Sequence, residues 1–275
     1  MKTVGVVGLG LIGGSMARTV KKRTALTVLG ADINGEALTM ARMSGAVDGE
    51  LTPESLDRCD LTLIAIPPLA AVRWIEENAD RLAGKTVVDL CGIKRVFAQT
   101  VRLSCEKGFA FVGGHPMAGR ETSGFASASA SLYDGASMIL VPNRSADIAL
   151  LERLRGFFLE LGFGAVVFTT AEEHDRIISY TSQLPHIISG AYVRSPVSRT
   201  HMGFSAGSFR DMTRVARLDE ALWTQLMAEN ADYLTGEVDA LIERLTEYRD
   251  ALRSGDREAL CALLRKGREA REEMG

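Results

Sequence analysis

The chain has little cysteine for its 275 residues, and its four cysteines are scattered. Cys59, Cys91, Cys105 and Cys261 form no CxxC pair, and no histidines cluster at the spacing of metal ligands. This pattern argues against a structural zinc site, and we expect no metal. Isolated thiols without a pairing pattern suit a reducing compartment.

The sequence also lacks an apolar run long enough to span a membrane, and its charged residues are not grouped in blocks of one sign. No apolar stretch approaches the roughly 18 residues that a transmembrane helix needs, and the N-terminus lacks the basic region and cleavage site of a signal peptide. The 32 basic and 35 acidic residues are spread along the chain and give a net charge of -3. We therefore expect a cytoplasmic protein without a nucleic-acid or membrane partner.

Short valine-rich runs alternate with helical patterns over the first part of the chain. This alternation predicts an α/β fold, a Rossmann-type doubly wound and mostly parallel sheet with helices on both faces. No strand pattern follows residue 168, so we predict a dinucleotide-binding domain at 1–168 and an all-helical domain at 169–275. Thr170 with Glu173 has the pattern of a capping box that opens the first of the later helices. The predicted strands are Thr3–Val7, Leu26–Ala31, Leu61–Ile66, Thr86–Leu90, Phe109–Val112, Ser137–Val141 and Ala165–Phe168.

The sequence GLGLIG at residues 8–13 follows the first strand and opens a helix. Gly8 allows a tight turn, Gly10 lets a pyrophosphate approach the backbone, and Gly13 lets the helix pack closely on the strand. A glycine turn without a ligand is the alternative, but the strand, the helix and a later acidic residue favour a dinucleotide site. The predicted cofactor-binding residues are Gly8, Gly10, Leu11, Ile12, Gly13, Asp32 and Pro67.

Asp32 ends the second predicted strand, about 20 residues after the glycine turn, where a carboxylate hydrogen-bonds ribose hydroxyls. Such a carboxylate repels the 2′-phosphate of NADP. The next residues include Asn34 and Gly35, and no arginine is adjacent. The sequence therefore predicts NAD as the cofactor.

Five separated segments carry a further signal. The segment HPMAG at 115–119, with Glu121 and Gly124, follows the fifth predicted strand. The others are DLCGIK at 89–94, SQLPH at 182–186, FRDMTRVA at 209–216 and DEALW at 219–223. In number, order and content these segments resemble the signature of the prephenate and arogenate dehydrogenases, and the resemblance covers nearly the whole chain.

The resemblance implies a role for several residues. His115 matches the catalytic histidine, which takes the proton of the ring 4-hydroxyl as hydride leaves C4. Arg214 matches the arginine that binds a substrate carboxylate, and His186 and Trp223 match residues lining the substrate pocket. The predicted substrate site also includes Arg210 and Glu121, at the pocket mouth, and Gly92. A histidine in a loop ordinarily titrates near neutral pH, so we expect a group with a pKa near 6–7 in the pH profile.

One position departs from the family pattern. Many members have serine in the Asp-x-x-Ser-x-Lys segment where this chain has Gly92. The serine hydroxyl is thought to position the substrate hydroxyl or the nicotinamide. Here a water or a backbone N–H replaces that contact, or the contact is absent.

The resemblance predicts oxidative decarboxylation of prephenate to 4-hydroxyphenylpyruvate, on the route to tyrosine. The alternatives are an arogenate dehydrogenase, another Rossmann-type hydroxyacid or imine oxidoreductase, and an NAD-binding sensor without catalysis. His186, on an otherwise apolar helix, would by itself be assigned to the core. His174 and His201 lie outside the matching segments and receive no role.

The resemblance also implies a homodimer joined through the helical domain. Apolar residues occupy more than one face of these helices, which usually requires a partner. The loop at 203–207 is expected to reach the neighbouring subunit's pocket. From the chain's length we expect neither a fused chorismate mutase nor a C-terminal regulatory domain.

Overall fold

The computed structural model describes residues 1–143 and 146–275 of the chain. Its described residues form one eight-stranded sheet in the order β3-β2-β1-β4-β5-β6-β7-β8. The strands are β1 (Thr3–Val7), β2 (Thr27–Ala31), β3 (Gly49–Glu50), β4 (Leu61–Ile64), β5 (Thr86–Asp89), β6 (Ala110–Pro116), β7 (Ser137–Pro142) and β8 (Ala165–Phe168).

Neighbouring strands run parallel except β6 and β7, which are antiparallel. The first six strands have the order 3-2-1-4-5-6 that is typical of dinucleotide-binding domains. In such a sheet the ligand crevice lies beyond the carboxyl ends of the strands, where the order reverses between β1 and β4. The predicted fold class is confirmed.

Helices cover both faces of the sheet. Successive side chains on a strand point to opposite faces, so Val6 belongs to one buried apolar cluster and Val7 to the other. Leu63 and Ile64 on β4 divide in the same way. The helices of this part are α1 (Leu11–Arg23), α2 (Gly35–Met43), α3 (Pro53–Leu56), α4 (Pro68–Asn78), α5 (Ala98–Lys107) and α6 (Ile148–Glu160).

The chain after Phe168, all of which is described, contains helices and no strand, as predicted. Few apolar side chains of this segment are buried; they are Ile178, Leu184, Leu234 and Ala251. The helices are α7 (Ala171–Ile178), α8 (Leu184–Val193), α9 (Gly207–Arg214), α10 (Glu220–Ala228), α11 (Ala231–Ser254) and α12 (Arg257–Glu273), and a π-helical turn at Ser179–Gln183 joins α7 to α8.

Four elements were not predicted. Strand β3 has two residues and helix α3 has four, too few for any periodic pattern. Helix α2 begins after Asn34, whose side chain accepts hydrogen bonds from the backbone N–H groups of Glu36 and Ala37. Helix α9 has eight residues and only two large apolar side chains, Phe209 and Met212, too few to establish a period in the sequence.

The capping box predicted at the start of α7 is half formed. The Thr170 side chain accepts a hydrogen bond from the Glu173 N–H at 3.2 Å, but the Glu173 carboxylate pairs with Arg176 instead of returning to Thr170. Among the described residues, no helix is long and apolar enough to cross a bilayer.

Candidate active site

The glycine turn between β1 and α1 is tight at two of its glycines and open at the third. Gly8 has φ +87°, and a Cβ atom there would lie 2.5 Å from the Ala65 carbonyl oxygen. A Cβ atom on Gly13 would lie 1.8 Å from the Gly8 carbonyl oxygen, so only glycine lets α1 approach the turn. No atom lies within 4 Å of the Cβ position at Gly10. The turn therefore leaves free space beside its backbone where a pyrophosphate can approach.

The surroundings of the turn suit a dinucleotide. Helix α1 begins at Leu11 and Ile12 without a side-chain cap, so its N-terminal dipole faces this space. The Asp32 carboxylate accepts hydrogen bonds from the N–H groups of Leu9, at 2.6 Å, and Asn34, at 2.8 Å. Pro67 caps α4 in the loop after β4. These groups fit a pyrophosphate at the helix and a ribose at Asp32.

His115 lies in strand β6, opposite Ile139 of β7. The sequence-based assignment to a loop was wrong, because pairing with β7 extends the strand to Pro116. The side chain still lies at the carboxyl end of a sheet strand, on the crevice side of the domain. Its Nδ1 atom is 2.9 Å from Nε2 of His174.

Gly92 follows β5 and lies beside the other ring nitrogen of His115. A Cβ atom on Gly92 would be 3.9 Å from His115 Nε2 and 3.5 Å from a Leu226 methyl group, both ordinary contact distances. The space therefore accepts a small side chain. Because residue 92 is glycine in this chain, His115 Nε2 faces the backbone of Gly92 with no side chain between them.

The helical domain supplies the opposite wall. His186 on α8 stacks on Trp223 of α10, with ring centroids 3.6 Å apart and planes at 30°. His186 Nδ1 is 2.8 Å from the Ser182 carbonyl oxygen, which fixes the ring. Leu226 lies one helical turn after Trp223 and therefore on the same side of α10. These contacts bring the predicted pocket residues His186 and Trp223 to the same cleft as Gly92.

Arg214 and Glu121 form an ion pair across the mouth of this cleft. The Arg214 side chain, at the end of α9, is 62% exposed, and Glu121 is 33% exposed. A hydrogen bond from its own backbone N–H, with help from Arg214, lowers the pKa of Glu121. Arg210 is exposed on the same helix, one turn earlier. Arg214, the candidate for binding a substrate carboxylate, is thus paired with an acidic side chain.

A buried ion pair lies behind His115. The Lys94 ammonium pairs with Asp89, and both side chains are almost fully buried. Asp89 also accepts hydrogen bonds from the backbone N–H groups of Cys91 and Gly114, at 3.0 and 3.3 Å. Burial first, and then the proximity of His174 and Lys94, holds the pKa of His115 well below its usual value of 6.5. His115 is therefore a neutral imidazole at neutral pH.

Sequence reasoning missed His174, which contacts His115 and is 2% exposed. Its Nδ1 atom is 2.7 Å from Oδ1 of Asp175. The only local signal is the adjacent His-Asp pair at the start of α7, and such pairs are too common to indicate a site. In residues 1–143 and 146–275, no group of three or more His, Cys, Asp or Glu side chains could hold a metal ion.

Comparison with known proteins agrees with this geometry. The family model for the nucleotide-binding domain of prephenate dehydrogenase matches residues 16–168, and the one for the prephenate dehydrogenase dimerization domain matches residues 170–266. Prephenate dehydrogenase of Bacillus subtilis is 29% identical over 98% of this chain and 75% of its own length. Cyclohexadienyl dehydrogenase of Zymomonas mobilis is 30% identical over 98% of this chain and 95% of its own.

A solved structure extends the similarity to the whole fold. Prephenate dehydrogenase of Aquifex aeolicus, in complex with hydroxyphenyl propionate and NAD+, superposes with a TM-score of 0.82 at 27% identity. The match covers 100% of this chain and 99% of that one. With both domains matched in order and His115 at the carboxyl end of the sheet, this chain belongs to the prephenate dehydrogenase family.

Proposed function

We propose that this chain oxidises and decarboxylates prephenate to 4-hydroxyphenylpyruvate, with NAD as the hydride acceptor. The observation that carries the proposal is the neutral His115 imidazole, whose Nε2 atom borders the open backbone at Gly92. This atom lies on the crevice side of a dinucleotide-binding sheet, so a base and a cofactor can meet at one substrate atom.

The reaction needs few protein groups. Prephenate carries a carboxylate on a quaternary ring carbon, a pyruvyl side chain and a ring alcohol. NAD bound at the glycine turn would supply the acceptor for the hydride of the alcohol carbon. The alcohol proton goes to a base, the ring carboxylate leaves as CO2, and the electrons of the broken C–C bond complete the aromatic ring. The resulting phenolate oxygen then takes the proton back from the base. Aromatisation makes the reaction effectively irreversible.

Within this scheme His115 takes the proton of the ring hydroxyl at Nε2. A general base of this kind contributes about 10²- to 10⁴-fold in rate. Arg214 exchanges the Glu121 carboxylate for a carboxylate of the substrate, because a guanidinium stays charged and binds carboxylates through two N–H groups. His186 and Trp223 line the pocket, and Arg210 adds positive charge at its mouth.

We assign cofactor binding to the glycine turn and its surroundings. The N–H groups at the start of α1 and the space beside Gly10 suit the pyrophosphate, and Asp32 suits the ribose hydroxyls. Pro67, in the loop after β4, borders the same edge of the sheet. We further assign residues 1–168 to the cofactor domain and residues 169–275 to the substrate and dimer domain.

Arogenate carries an ammonium group where prephenate has a keto group, so a site for arogenate needs a free acidic side chain nearby. Glu121 is the acidic candidate at the cleft mouth, and its carboxylate pairs with Arg214. Because Arg214 releases Glu121 when it binds a substrate carboxylate, turnover with both substrates decides the preference.

We propose a homodimer formed mainly by residues 170–275. The helical segment buries few apolar residues of its own, and the matching family model describes a dimerization domain. Large apolar side chains of this segment are exposed, among them Val197 (74%), Met202 (83%), Phe204 (93%), Leu252 (64%) and Leu264 (60%). Met202 and Phe204 flank Gly203 in the loop that we expect to reach the partner's pocket.

Light scattering at low micromolar concentration tests the assembly, and a dimer has twice the chain mass of 29.7 kDa. A stable and fully active monomer would contradict both the dimer and the shared pocket.

Steady-state turnover with prephenate and arogenate, each with NAD and with NADP, tests the function. We expect prephenate with NAD to give the highest kcat/KM of the four combinations. A higher kcat/KM with arogenate would assign the chain to the second substrate, and no turnover with either would refute the proposal.

A further inference from the structure

Two buried residues extend the site behind His115. His174 Nε2 is 2.9 Å from His115 Nδ1, and His174 Nδ1 is 2.7 Å from Asp175 Oδ1. His174 is 2% exposed and Asp175 is fully buried. The three side chains form one line of hydrogen bonds that runs from strand β6 to the start of helix α7.

The surroundings of Asp175 stabilise its ionised form, which accepts hydrogen bonds. Its Oδ1 accepts from the Lys94 N–H, and its Oδ2 accepts from the Arg95 N–H, each at 2.8 Å. The Arg95 guanidinium adds a longer contact of 3.4 Å. Burial opposes ionisation, but hydrogen bonds from His174 and from the two backbone N–H groups outweigh it and lower the pKa of Asp175.

This arrangement determines which nitrogen atoms carry protons. An ionised carboxylate only accepts hydrogen bonds, so His174 must donate from Nδ1. Burial lowers the pKa of His174, and the neutral ring then has a lone pair at Nε2. His115 must therefore donate from Nδ1, and its own lone pair is left at Nε2, the atom beside Gly92.

Asp175 itself is fixed from both domains. Arg95 hydrogen-bonds Asn230 and Asp232 through its guanidinium, at 2.8 and 2.5 Å. The Asn230 amide in turn donates to the Asp175 carbonyl oxygen at 2.9 Å and to Gln183 at 2.8 Å. The hydrogen-bond line behind His115 is thus anchored where the helical domain meets the sheet.

We propose that His174 and Asp175 are positioning residues that hold His115 in the Nδ1–H tautomer and aim its Nε2 lone pair at the substrate hydroxyl. The proposal deepens the proposed function and rests on His115 being its base. After Nε2 has accepted the hydroxyl proton, His115 carries both protons and a positive charge. Its Nδ1–H continues to donate to His174, and the proton at Nε2 returns to the phenolate oxygen after decarboxylation, so no proton passes to His174.

The charged groups around this line are the buried Asp89–Lys94 pair on one side and Arg95 on the other. The Lys94 charge disfavours protonation of both imidazoles, whereas Asp175 favours protonation of His174. Asp175 therefore offsets the effect of Lys94 on His174, the ring that it contacts.

Three variants test the role of the His174 acceptor. His174→Leu removes the acceptor at similar size, and we expect kcat to fall about tenfold to a hundredfold, as for other residues that orient a functional histidine. KM for prephenate and the affinity for NAD should stay unchanged. In His174→Gln the amide oxygen can accept from His115 while the NH2 group donates to Asp175, so most of the lost kcat should return. Glu173→Leu, an exposed neighbour on the same helix, is the control and should behave as the unmodified protein.

The tautomer can be measured without turnover. The chain has four histidines, so ¹⁵N-histidine labelling with NMR detection resolves each ring, with assignments from the variants. We expect His115 protonated at Nδ1 in the unmodified protein and a mixture of tautomers in His174→Leu. This result stands or fails independently of the substrate.

Either of two results would overturn the proposal. One is an Nε2–H tautomer of His115 in the unmodified protein. The other is a kcat that is unchanged in His174→Leu, or that falls equally in the Leu and Gln variants. A protein with the expected tautomer but no activity on prephenate would instead refute the proposed function and leave the tautomer assignment intact.

Discussion

Nε2 of His115 lies 3.9 Å from the position that a Cβ atom on Gly92 would occupy. The nearest other contact of that Cβ atom is a Leu226 methyl group at 3.5 Å, so the site accepts a Cβ atom without displacing its neighbours. A hydroxyl at residue 92 would therefore lie beside the general base, where it could donate a hydrogen bond to the substrate hydroxyl.

We predict that Gly92→Ser raises kcat/KM for prephenate, because an added hydrogen bond contributes about 0.5–1.5 kcal/mol, or roughly two- to tenfold. Gly92→Ala adds the Cβ atom alone and is the matched control. Steady-state kinetics of both variants gives the comparison. Equal kinetics for the serine and alanine variants would mean that the hydroxyl makes no productive contact.

The pH dependence of kcat follows from the lowered pKa of His115. The base acts when it is unprotonated, so kcat is at its plateau above the pKa and falls as the pH drops through it. Because burial, with His174 and Lys94, places that pKa well below 6.5, kcat should stay level from pH 8 to 6.5 and decline only at lower pH. This corrects the value near 6–7 expected from the sequence. An acid limb centred at or above pH 6.5 in the kcat profile would contradict the described environment of His115.

The Asp32 carboxylate should select NAD over NADP by at least about tenfold in kcat/KM, since a 2′-phosphate would meet a like charge. Asp32→Asn removes the charge and keeps an oxygen that can accept from the Leu9 N–H. We expect this variant to prefer NAD over NADP by a smaller factor in kcat/KM and to bind NAD with moderately lower affinity. Equal kcat/KM for both cofactors in the unmodified protein would show that Asp32 does not face the ribose.

Arg214→Ala should raise KM for prephenate at least about tenfold, because the substrate carboxylate loses a charge-assisted partner. Arg214→Lys keeps the charge but loses the planar pair of N–H donors. Its KM for prephenate should lie between those of the unmodified protein and Arg214→Ala. Glu121→Gln releases Arg214 from its ion pair and should not raise KM. An unchanged KM in Arg214→Ala would remove Arg214 from the substrate site.

The parts of the site that sequence reasoning found are local or carried by short motifs. Gly8, Gly13 and Asp32 lie within one strand-turn-helix-strand unit, where backbone geometry demands particular residue types. The sheet could also be predicted from local sequence, because strands that are buried on both faces consist of continuous apolar runs.

The parts that it missed depend on contacts between distant segments. His174 meets His115 across 59 residues, and Arg214 meets Glu121 across 93. Helix α9 has only two large apolar side chains, Phe209 and Met212, too few for a periodic pattern to mark it. The tertiary arrangement, rather than any local pattern, decides that His174 belongs to the site and that Glu121 is already paired.

The most direct test of the central claim is the yield of NADH and CO2 from prephenate and NAD, measured for the unmodified protein and for His115→Asn. Asparagine removes the base and is smaller than histidine, so the NAD site beside Gly10 and Asp32 should be unaffected. We predict equal amounts of NADH and CO2 from the unmodified protein, and a kcat lower by roughly 10²-fold or more in the variant with NAD affinity nearly unchanged. Wild-type turnover by His115→Asn, or NADH formed without CO2, would contradict the account.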